Sequence, residues 1–248
     1  MNESNNNDVF AGVDIEEIEI LGKKYRFPLR FYDYTGIVGI FPADATKVKE
    51  LLPSEKLIPY QPEANVALVA LAGYEYKNVD GLAPYNEFVI TILTTYKKNP
   101  EDAGELGYYV LHLPVTTEEA RVLGIEMWGF PKFLADIIFT HNEESVVCNV
   151  QADGKDIISM EAKQIATEPT VLDIYDYTIK NGEIAKTLVS FRGEYGTSTS
   201  PQGASCVLGN HPISGQLMKI GIGEKSIQHR YSQELNVLVY LPSEYLPL

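Results

Sequence analysis

A lysine held between aromatic residues is the feature of this sequence that points most directly to chemistry. Lys132 follows Pro131 and lies between Phe130 and Phe133. The proline fixes its own φ, removes a backbone donor and favours an extended conformation at Phe130. The lysine therefore starts from a stiff backbone with bulky apolar neighbours. Desolvation disfavours the charged form of an amine, and a neutral amine attacks a carbonyl to form a Schiff base.

The same residues also permit a structural interpretation. Most lysines are solvated, and a lysine among aromatic residues usually extends its ammonium group to water. A perturbed lysine can also have a purely structural role. The local sequence by itself leaves both alternatives open.

The segment around Lys132 resembles the signature of the acetoacetate decarboxylase family. Gly124-Ile125-Glu126 is followed by Phe130-Pro131-Lys132, just as a Gly-x-Glu precedes an aromatic-Pro-Lys in that family. Upstream, the run from Gly81 to Glu87 resembles the family's Gly-Leu-x-x-Tyr-x-Glu segment. The resemblance implies that Lys132 forms the Schiff base and that Glu87 lies in the active site as proton handler or orienter.

The resemblance extends over most of the chain from about Phe41 and implies a substrate site around the lysine. Family members carry an arginine near the start of an early strand that handles the substrate carboxylate. An ungapped extension places Tyr34 there, and Arg30 substitutes for it if the strand is offset. The expected substrate-binding residues are Arg30, Tyr34, Phe130, Phe133, Glu126 and Trp128.

Three of these residues have a specific expected role. Phe130 and Phe133 are expected to form apolar walls on either side of the lysine. Glu126 precedes Lys132 by six residues and is expected to fold back beside it as a supporting group.

The residue after the lysine departs from the family pattern. Members that decarboxylate acetoacetate usually carry a second lysine there, and this chain has Phe133. A neighbouring cation is the established means by which acetoacetate decarboxylase activates its amine. In this chain desolvation has to take that role. We therefore expect weak turnover of acetoacetate and a different or larger keto acid as the substrate.

Three functions remain open at this point. The first is a carboxy-lyase that decarboxylates a β-keto acid, such as acetoacetate or a relative, through an imine at Lys132. The second is aldolase or dehydratase chemistry on a pyruvate-like keto acid through the same lysine. The third is a β-barrel that binds a small ligand without catalysis. None of the three calls for a cofactor.

Composition narrows the partners of the protein. The 248 residues are 45% hydrophobic and carry a net charge of −14. An acidic surface argues against binding to nucleic acid and to anionic membranes. Four scattered histidines lack the spacing of metal ligands, and two distant cysteines make neither a metal cluster nor a disulfide framework. We expect a keto-acid ligand, no metal, and, from the resemblance, a homo-oligomer.

The N-terminus and the apolar runs bear on localisation. The first eight residues are polar and lack the apolar core of a signal peptide. No apolar run approaches the roughly 18 residues of a membrane span. These features predict a cytoplasmic protein with a disordered tail over residues 1–10 and a single acetoacetate decarboxylase-like domain over 11–248.

Strand signals dominate the rest of the chain. The segments 34–41 and 85–96 have strand-like patterns, and 145–151 with 156–165 indicate a hairpin. A short helix is predicted to open at Thr116 or Thr117, with Gly124 as its C′ residue. The chain is therefore predicted to be mainly β, α+β by count, with a few short helices. We expect an antiparallel sheet, strongly curled or closed into a cone or barrel to hide its edges.

Overall fold

Strands make up most of the structure, a computed structural model that describes residues 9–248. The strands are β1 (Glu16–Ile20), β2 (Lys23–Phe27), β3 (Leu29–Asp44), β4 (Leu57–Pro59), β5 (Val66–Val79), β6 (Tyr85–Tyr96), β7 (Glu105–Val115), β8 (Lys132–Leu134), β9 (Asp136–His141), β10 (Ser145–Ala152), β11 (Lys155–Lys163), β12 (Glu168–Lys180), β13 (Glu183–Ser198), β14 (Ala204–Leu208), β15 (Gln228–Val239) and β16 (Glu244–Leu246). The helices are α1 (Ala45–Lys49), α2 (Glu118–Trp128) and α3 (Pro212–Lys219).

A closed barrel of seven strands forms the centre of the fold. Its strands follow one another in the order β6, β5, β3, β15, β13, β12 and β7, and β7 pairs again with β6. All of these pairs are antiparallel except the short parallel contact between β12 and β7. Closure removes the exposed sheet edges that favour aggregation. The predicted closed, mainly β architecture is thereby confirmed.

A second sheet covers one side of the barrel. It has four strands in the order β14, β11, β10 and β9, and it packs on the outer faces of β3, β5 and β6. In this outer core, Ile37 and Leu71 of the barrel join Val146 and Cys148 of the sheet. The sequence of a strand that is buried on both faces is a nearly continuous run of apolar residues. This explains why the segments 34–41 and 66–72 are so strongly apolar.

Helix α2 is longer than the sequence predicted. Thr117 caps it by accepting a hydrogen bond from the Ala120 N–H, and the helix continues through Gly124 to Trp128. It ends at Gly129, whose φ of 66° lies in the left-handed region that glycine tolerates. The prediction that Gly124 is the C′ residue is therefore wrong, because the C-terminal glycine of the helix lies five residues later.

The structure also bears on the predictions about the N-terminal tail, membrane spans and metal sites. Of the predicted tail, positions 1–8 lie outside the described residues, while Phe10 is 1% exposed and its ring centroid lies 5.2 Å from that of Tyr32. Within residues 9–248, none of the helices has the length and apolar character needed to cross a bilayer. Over the same range, His, Cys, Asp and Glu side chains form no group of three placed to hold a metal ion.

Candidate active site

The barrel interior contains a cavity of about 100 Å³ with mainly apolar walls. Helix α2 contributes Leu123 and Trp128 to these walls, and the strands contribute residues on their inward faces. Five tyrosines also line the cavity: Tyr74, Tyr76, Tyr85, Tyr108 and Tyr195. Four charged residues do so as well: Glu87, Lys132, Asp176 and Arg230.

Lys132 reaches this cavity from the first residue of β8. The strand pairs in parallel with β7, where Leu113 is opposite Lys132. The Leu113 N–H donates to the carbonyl of Pro131, which fixes the stiff segment against the barrel. The lysine side chain is only 6% exposed. Its Nζ lies 5.6 Å from the ring centroid of Tyr85 and 5.7 Å from that of Phe130.

Glu87 pairs with the lysine inside the barrel. Lys132 Nζ donates a hydrogen bond to Glu87 Oε2 at 2.8 Å, and the Tyr76 hydroxyl donates to Oε1 at 3.1 Å. The glutamate side chain is 8% exposed. Taking two charges out of water costs about as much as their attraction returns, so such a pair is weak evidence for a stabilising role. A buried amine and carboxylate in a cavity instead form a candidate catalytic pair.

The tyrosines around this pair are neutral donors. Burial, followed by the charge of Glu87, raises the pKa of both Tyr76 and Tyr85 well above the ordinary phenol value. Burial likewise raises the pKa of Tyr74. These hydroxyls therefore keep their protons at neutral pH and can donate hydrogen bonds to an oxygen of a bound ligand.

A comparison with protein families matches this chain to the acetoacetate decarboxylase model over residues 20–173, which is more than half of its length. The chain belongs to the acetoacetate decarboxylase family. The matched region contains Lys132 and Glu87. It also contains most of the residues that line the cavity, from those of β3 to Lys132 in β8. None of the curated proteins matches the sequence.

Solved structures of acetoacetate decarboxylases share the fold. One acetoacetate decarboxylase has a TM-score of 0.65 at 16% identity, with 90% of this chain and 91% of that chain covered. The enzyme from Legionella pneumophila has a TM-score of 0.64 at 16% identity, covering 88% and 87%. MppR, an enduracididine biosynthesis enzyme complexed with pyruvate, has a TM-score of 0.59 at 11% identity, covering 87% and 90%. At these identities the likeness shows the fold alone.

Two of the expected substrate-binding residues lie on the cavity wall. Phe130 is 7% exposed and packs beside the amine of Lys132. Trp128 is 2% exposed, and its Nε1 donates to the carbonyl of Tyr240 at 2.6 Å. That hydrogen bond satisfies the indole donor, so the ring contributes an apolar surface to the cavity.

The structure corrects the expected placement of Arg30 and Tyr34. Leu29 and Phe31 line the cavity, so strand alternation turns Arg30 to the opposite face of β3. There its Nη1 lies 3.9 Å from a carboxylate oxygen of Asp80. Tyr34 lies behind the wall, fully buried, with its ring edge-on to Tyr74. Neither Arg30 nor Tyr34 contacts the cavity directly.

The predictions that Phe133 forms a cavity wall and that Glu126 lies beside Lys132 are also wrong. Because successive strand residues point to opposite faces, the inward direction of Lys132 sends Phe133 into the outer core. Phe133 therefore forms no cavity wall. Glu126 is exposed. Helix α2 directs Gly124 to the cavity, and a residue two positions later points to the far side of a helix.

Two charged residues of the cavity escaped the sequence analysis. Asp176 lies two residues after Ile174 on the inward face of β12. An acidic residue at a position that alternation assigns to the apolar face of a strand is a sequence signal that could have identified it. Burial, followed by the charge of Glu87, raises the pKa of Asp176 to about 7. Arg230 lies on β15, where its neighbours His229 and Tyr231 give no comparable signal. Only the closure of the barrel places it in the cavity.

Proposed function

We propose that this protein is a Schiff-base-forming lyase that decarboxylates a β-keto acid through an imine at Lys132. The observation that carries the proposal is the contact of 2.8 Å between Lys132 Nζ and Glu87 Oε2 inside an apolar cavity. A carboxylate at hydrogen-bond distance can take a proton from the amine and return it later. Membership in the acetoacetate decarboxylase family and the shared fold support keto-acid chemistry of this kind.

The proposed reaction begins with proton transfer from the ammonium group of Lys132 to Glu87. The neutral amine adds to the ketone carbon, and loss of water gives a protonated imine. The electron pair of the bond to the carboxylate then moves toward the iminium nitrogen, which releases carbon dioxide and leaves an enamine. Protonation of the enamine carbon and addition of water release the ketone and regenerate the amine.

The tyrosines contribute to the same steps. Tyr76 donates to the other carboxylate oxygen of Glu87 and so holds its plane in place. Tyr85 and Phe130 cover the amine and exclude water from it. A neutral phenol near the carbonyl carbon also supplies a donor for the oxygen that becomes negatively charged during addition.

A second reaction through the same amine has one observation in its favour. MppR, which has been solved with pyruvate and with the condensation product of pyruvate and imidazole 4-carboxaldehyde, shares this fold. Aldol condensation and dehydration on a pyruvate-like keto acid start from the same imine. In that case the enamine forms by loss of a proton and attacks an aldehyde carbon, without release of carbon dioxide.

Reductive trapping tests the proposal. The protein is incubated with a panel of 2-oxo, 3-oxo and 4-oxo acids and borohydride, and the adduct is located by mass spectrometry of peptides. We expect a single adduct on Lys132 and none in Lys132→Met. Release of carbon dioxide then separates decarboxylation from condensation.

The matched control is Lys186→Arg. Lys186 is another buried lysine that contacts carboxylates, Glu105 at 2.6 Å and Glu244 at 2.9 Å, but it does not line the cavity. This variant should keep the adduct on Lys132. An absence of adduct with every carbonyl compound would favour a barrel that binds a ligand without catalysis.

The assembly state is a further part of the proposal. The resemblance to acetoacetate decarboxylases implies a homo-oligomer, whose small-molecule partner is the keto acid. Sedimentation at micromolar concentration should give a mass larger than the 27.6 kDa of one chain. A monomer under those conditions would contradict this part without affecting the chemistry at Lys132.

A further inference from the structure

Arg230 is a charged wall residue of the cavity that the proposed chemistry leaves without a role. Its guanidinium carbon lies 6.0 Å from the ring centroid of Tyr195, and the phenol of that tyrosine favours its charged form. Within residues 9–248, no carboxylate is among the groups that act on its charge, and its buried Nε has no hydrogen-bond partner. The other groups that act on its charge are the phenols of Tyr108 and Tyr74.

An arginine in this situation is short of partners. Burial opposes its charge, and the groups that favour the charge are phenols, which are neutral at physiological pH. A guanidinium presents a fixed fork of donors that fits a carboxylate in two parallel hydrogen bonds. The barrel therefore holds an anion-binding group whose protein partners leave at least one donor free.

The pairing of the barrel strands shows that this group is remote from the lysine. Arg230 is opposite Val38 on β3, Val38 is opposite Ala72 on β5, and Ala72 is opposite Val89 on β6. Glu87, the partner of the catalytic lysine, lies two residues before Val89 on that strand. Three strand spacings of about 4.8 Å follow the curved wall from Arg230 to Val89. The two charged sites thus lie on different sides of one cavity.

The cavity between them is lined by groups that suit a carbon chain. Val38, Ala72 and Val89 lie in the row that joins the two sites, and the cavity also touches Ile40 and Ala70. These side chains offer apolar contacts and no hydrogen bonds. Tyr74 also lines the cavity, on β5 two residues after Ala72 and opposite Glu87.

We propose that Arg230 binds a carboxylate of the substrate that lies several bonds away from the carbonyl attacked by Lys132. The substrate class is then an aliphatic keto acid with a remote acid group, in addition to any carboxylate that leaves as carbon dioxide. This inference rests on the proposed function for the identity of the carbonyl site. It explains the expected weak turnover of acetoacetate, because a single short molecule cannot occupy both sites.

A carboxylate fits better than a phosphate group. Arg230 supplies one positive charge, which balances one negative charge and not two. Asp176 also lines the cavity and adds negative charge when it is ionised. At Arg230, the second negative charge of a dianion would therefore have no cation to balance it, and an ionised Asp176 would oppose it.

The first test varies the distance between ketone and acid. Pyruvate, acetoacetate, levulinate, 5-oxohexanoate and 6-oxoheptanoate are each compared with their methyl esters in the borohydride assay. We expect the preference for acid over ester to rise with chain length in the wild type. In Arg230→Met the preference at the best length should fall about tenfold or more, the size of a lost charge-assisted hydrogen bond.

The controls separate charge from shape and from stability. Arg192→Met removes a partly buried arginine of β13 that does not line the cavity, and it should leave the preference unchanged. Arg230→Lys keeps a positive charge without the fork, and it should retain part of the preference. An unchanged preference in Arg230→Met, with the neutral esters labelled as before, would overturn the inference.

A second measurement does not depend on the lysine. Calorimetry with butyrate, pentanoate and hexanoate measures binding of the carboxylate alone, with Arg230→Met as the comparison. Loss of this binding in the variant supports the inference, whether or not an imine forms. A failure to form an imine with any carbonyl compound would contradict the proposed function and would leave the carboxylate site unaffected. Equal binding of these acids to both proteins, or to neither, would count against a carboxylate site at Arg230.

Discussion

The side chain of Lys132 crosses helix α2 directly over Gly124. A Cβ built on Gly124 would lie 2.5 Å from Lys132 Cδ, 2.6 Å from Cε and 3.2 Å from Nζ. Real Cβ atoms do not approach other heavy atoms so closely. The missing side chain of Gly124 therefore leaves the space through which the lysine reaches Glu87. This space is a physical reason for a glycine in the Gly-x-Glu segment, whereas helix capping is not, because the helix continues past Gly124.

Gly124→Ala should displace the amine while the fold survives. The atoms in the way belong to a flexible side chain, and alanine favours a helix over glycine by about 1 kcal/mol. We expect unchanged or higher thermal stability together with a large loss of borohydride trapping at Lys132. Gly215→Ala in α3 is the matched control, because no heavy atom lies within 4 Å of that Cβ. Normal trapping in Gly124→Ala would show that the lysine has another path to the cavity.

Glu87→Gln should destabilise the protein by leaving the amine without its carboxylate. Breaking a buried ion pair from one side typically costs about 3 to 5 kcal/mol, whereas replacing both partners is often neutral. We therefore expect a lower free energy of unfolding for Glu87→Gln and a partial recovery when Lys132→Met is added. Denaturant unfolding of the two single variants and the double variant measures the coupling. Additive effects would mean that the pair does not interact as its geometry indicates.

Asp176 should make the protein less stable as the pH rises. Its pKa rises from an ordinary 3.8 to about 7 in the folded protein, through burial first and the charge of Glu87 second. Between these values the folded state binds more protons than the unfolded state, so the free energy of unfolding falls with increasing pH. Asp176→Asn should remove this contribution and should be the more stable protein above pH 7, by a few kcal/mol.

The comparison for Asp176 is Asp173→Asn, on the same strand but exposed. The Asp173→Asn variant loses the same formal charge. Above pH 7 its free energy of unfolding should exceed that of the wild type by much less than that of Asp176→Asn does. Thermal melts of the three proteins across this pH range supply the measurement. Parallel curves for the wild type and Asp176→Asn would contradict a buried carboxyl group at this position.

Trp128 should report on the contents of the cavity. It is the sole tryptophan of the sequence, is 2% exposed and lines the same cavity as Lys132. A keto acid bound beside it should change its fluorescence emission with a concentration dependence that matches labelling of Lys132. Trp128→Phe provides the blank. Saturating adduct formation without any change in emission would place the reaction outside this cavity.

Much of the site was predictable because its signals are local. The stiff Phe-Pro-Lys-Phe segment singles out Lys132. The resemblance to the family's Gly-Leu-x-x-Tyr-x-Glu segment points to Glu87, on a strand whose predicted bounds, 85–96, match β6. Burying such a carboxylate is costly unless it has a partner. The alternating and continuous apolar patterns likewise indicated a closed, mainly β fold. Each of these inferences depends on the chemistry of a few neighbouring residues.

The remaining wall residues depended on the direction in which each strand presents its side chains. A shift of one residue reverses the faces of a strand. Phe133 and Arg30 therefore needed the observed pairing of β8 and β3 before either could be placed, and both point away from the cavity.

What the sequence by itself determined is the candidate amine, its candidate carboxylate and the kind of sheet that surrounds them. Only the tertiary structure decided that Asp176 and Arg230 share their cavity, and that Gly124 makes room for the lysine. The reason is that barrel closure joins β6, β12 and β15, which lie far apart in the chain. No local pattern records which residues meet across such a closure.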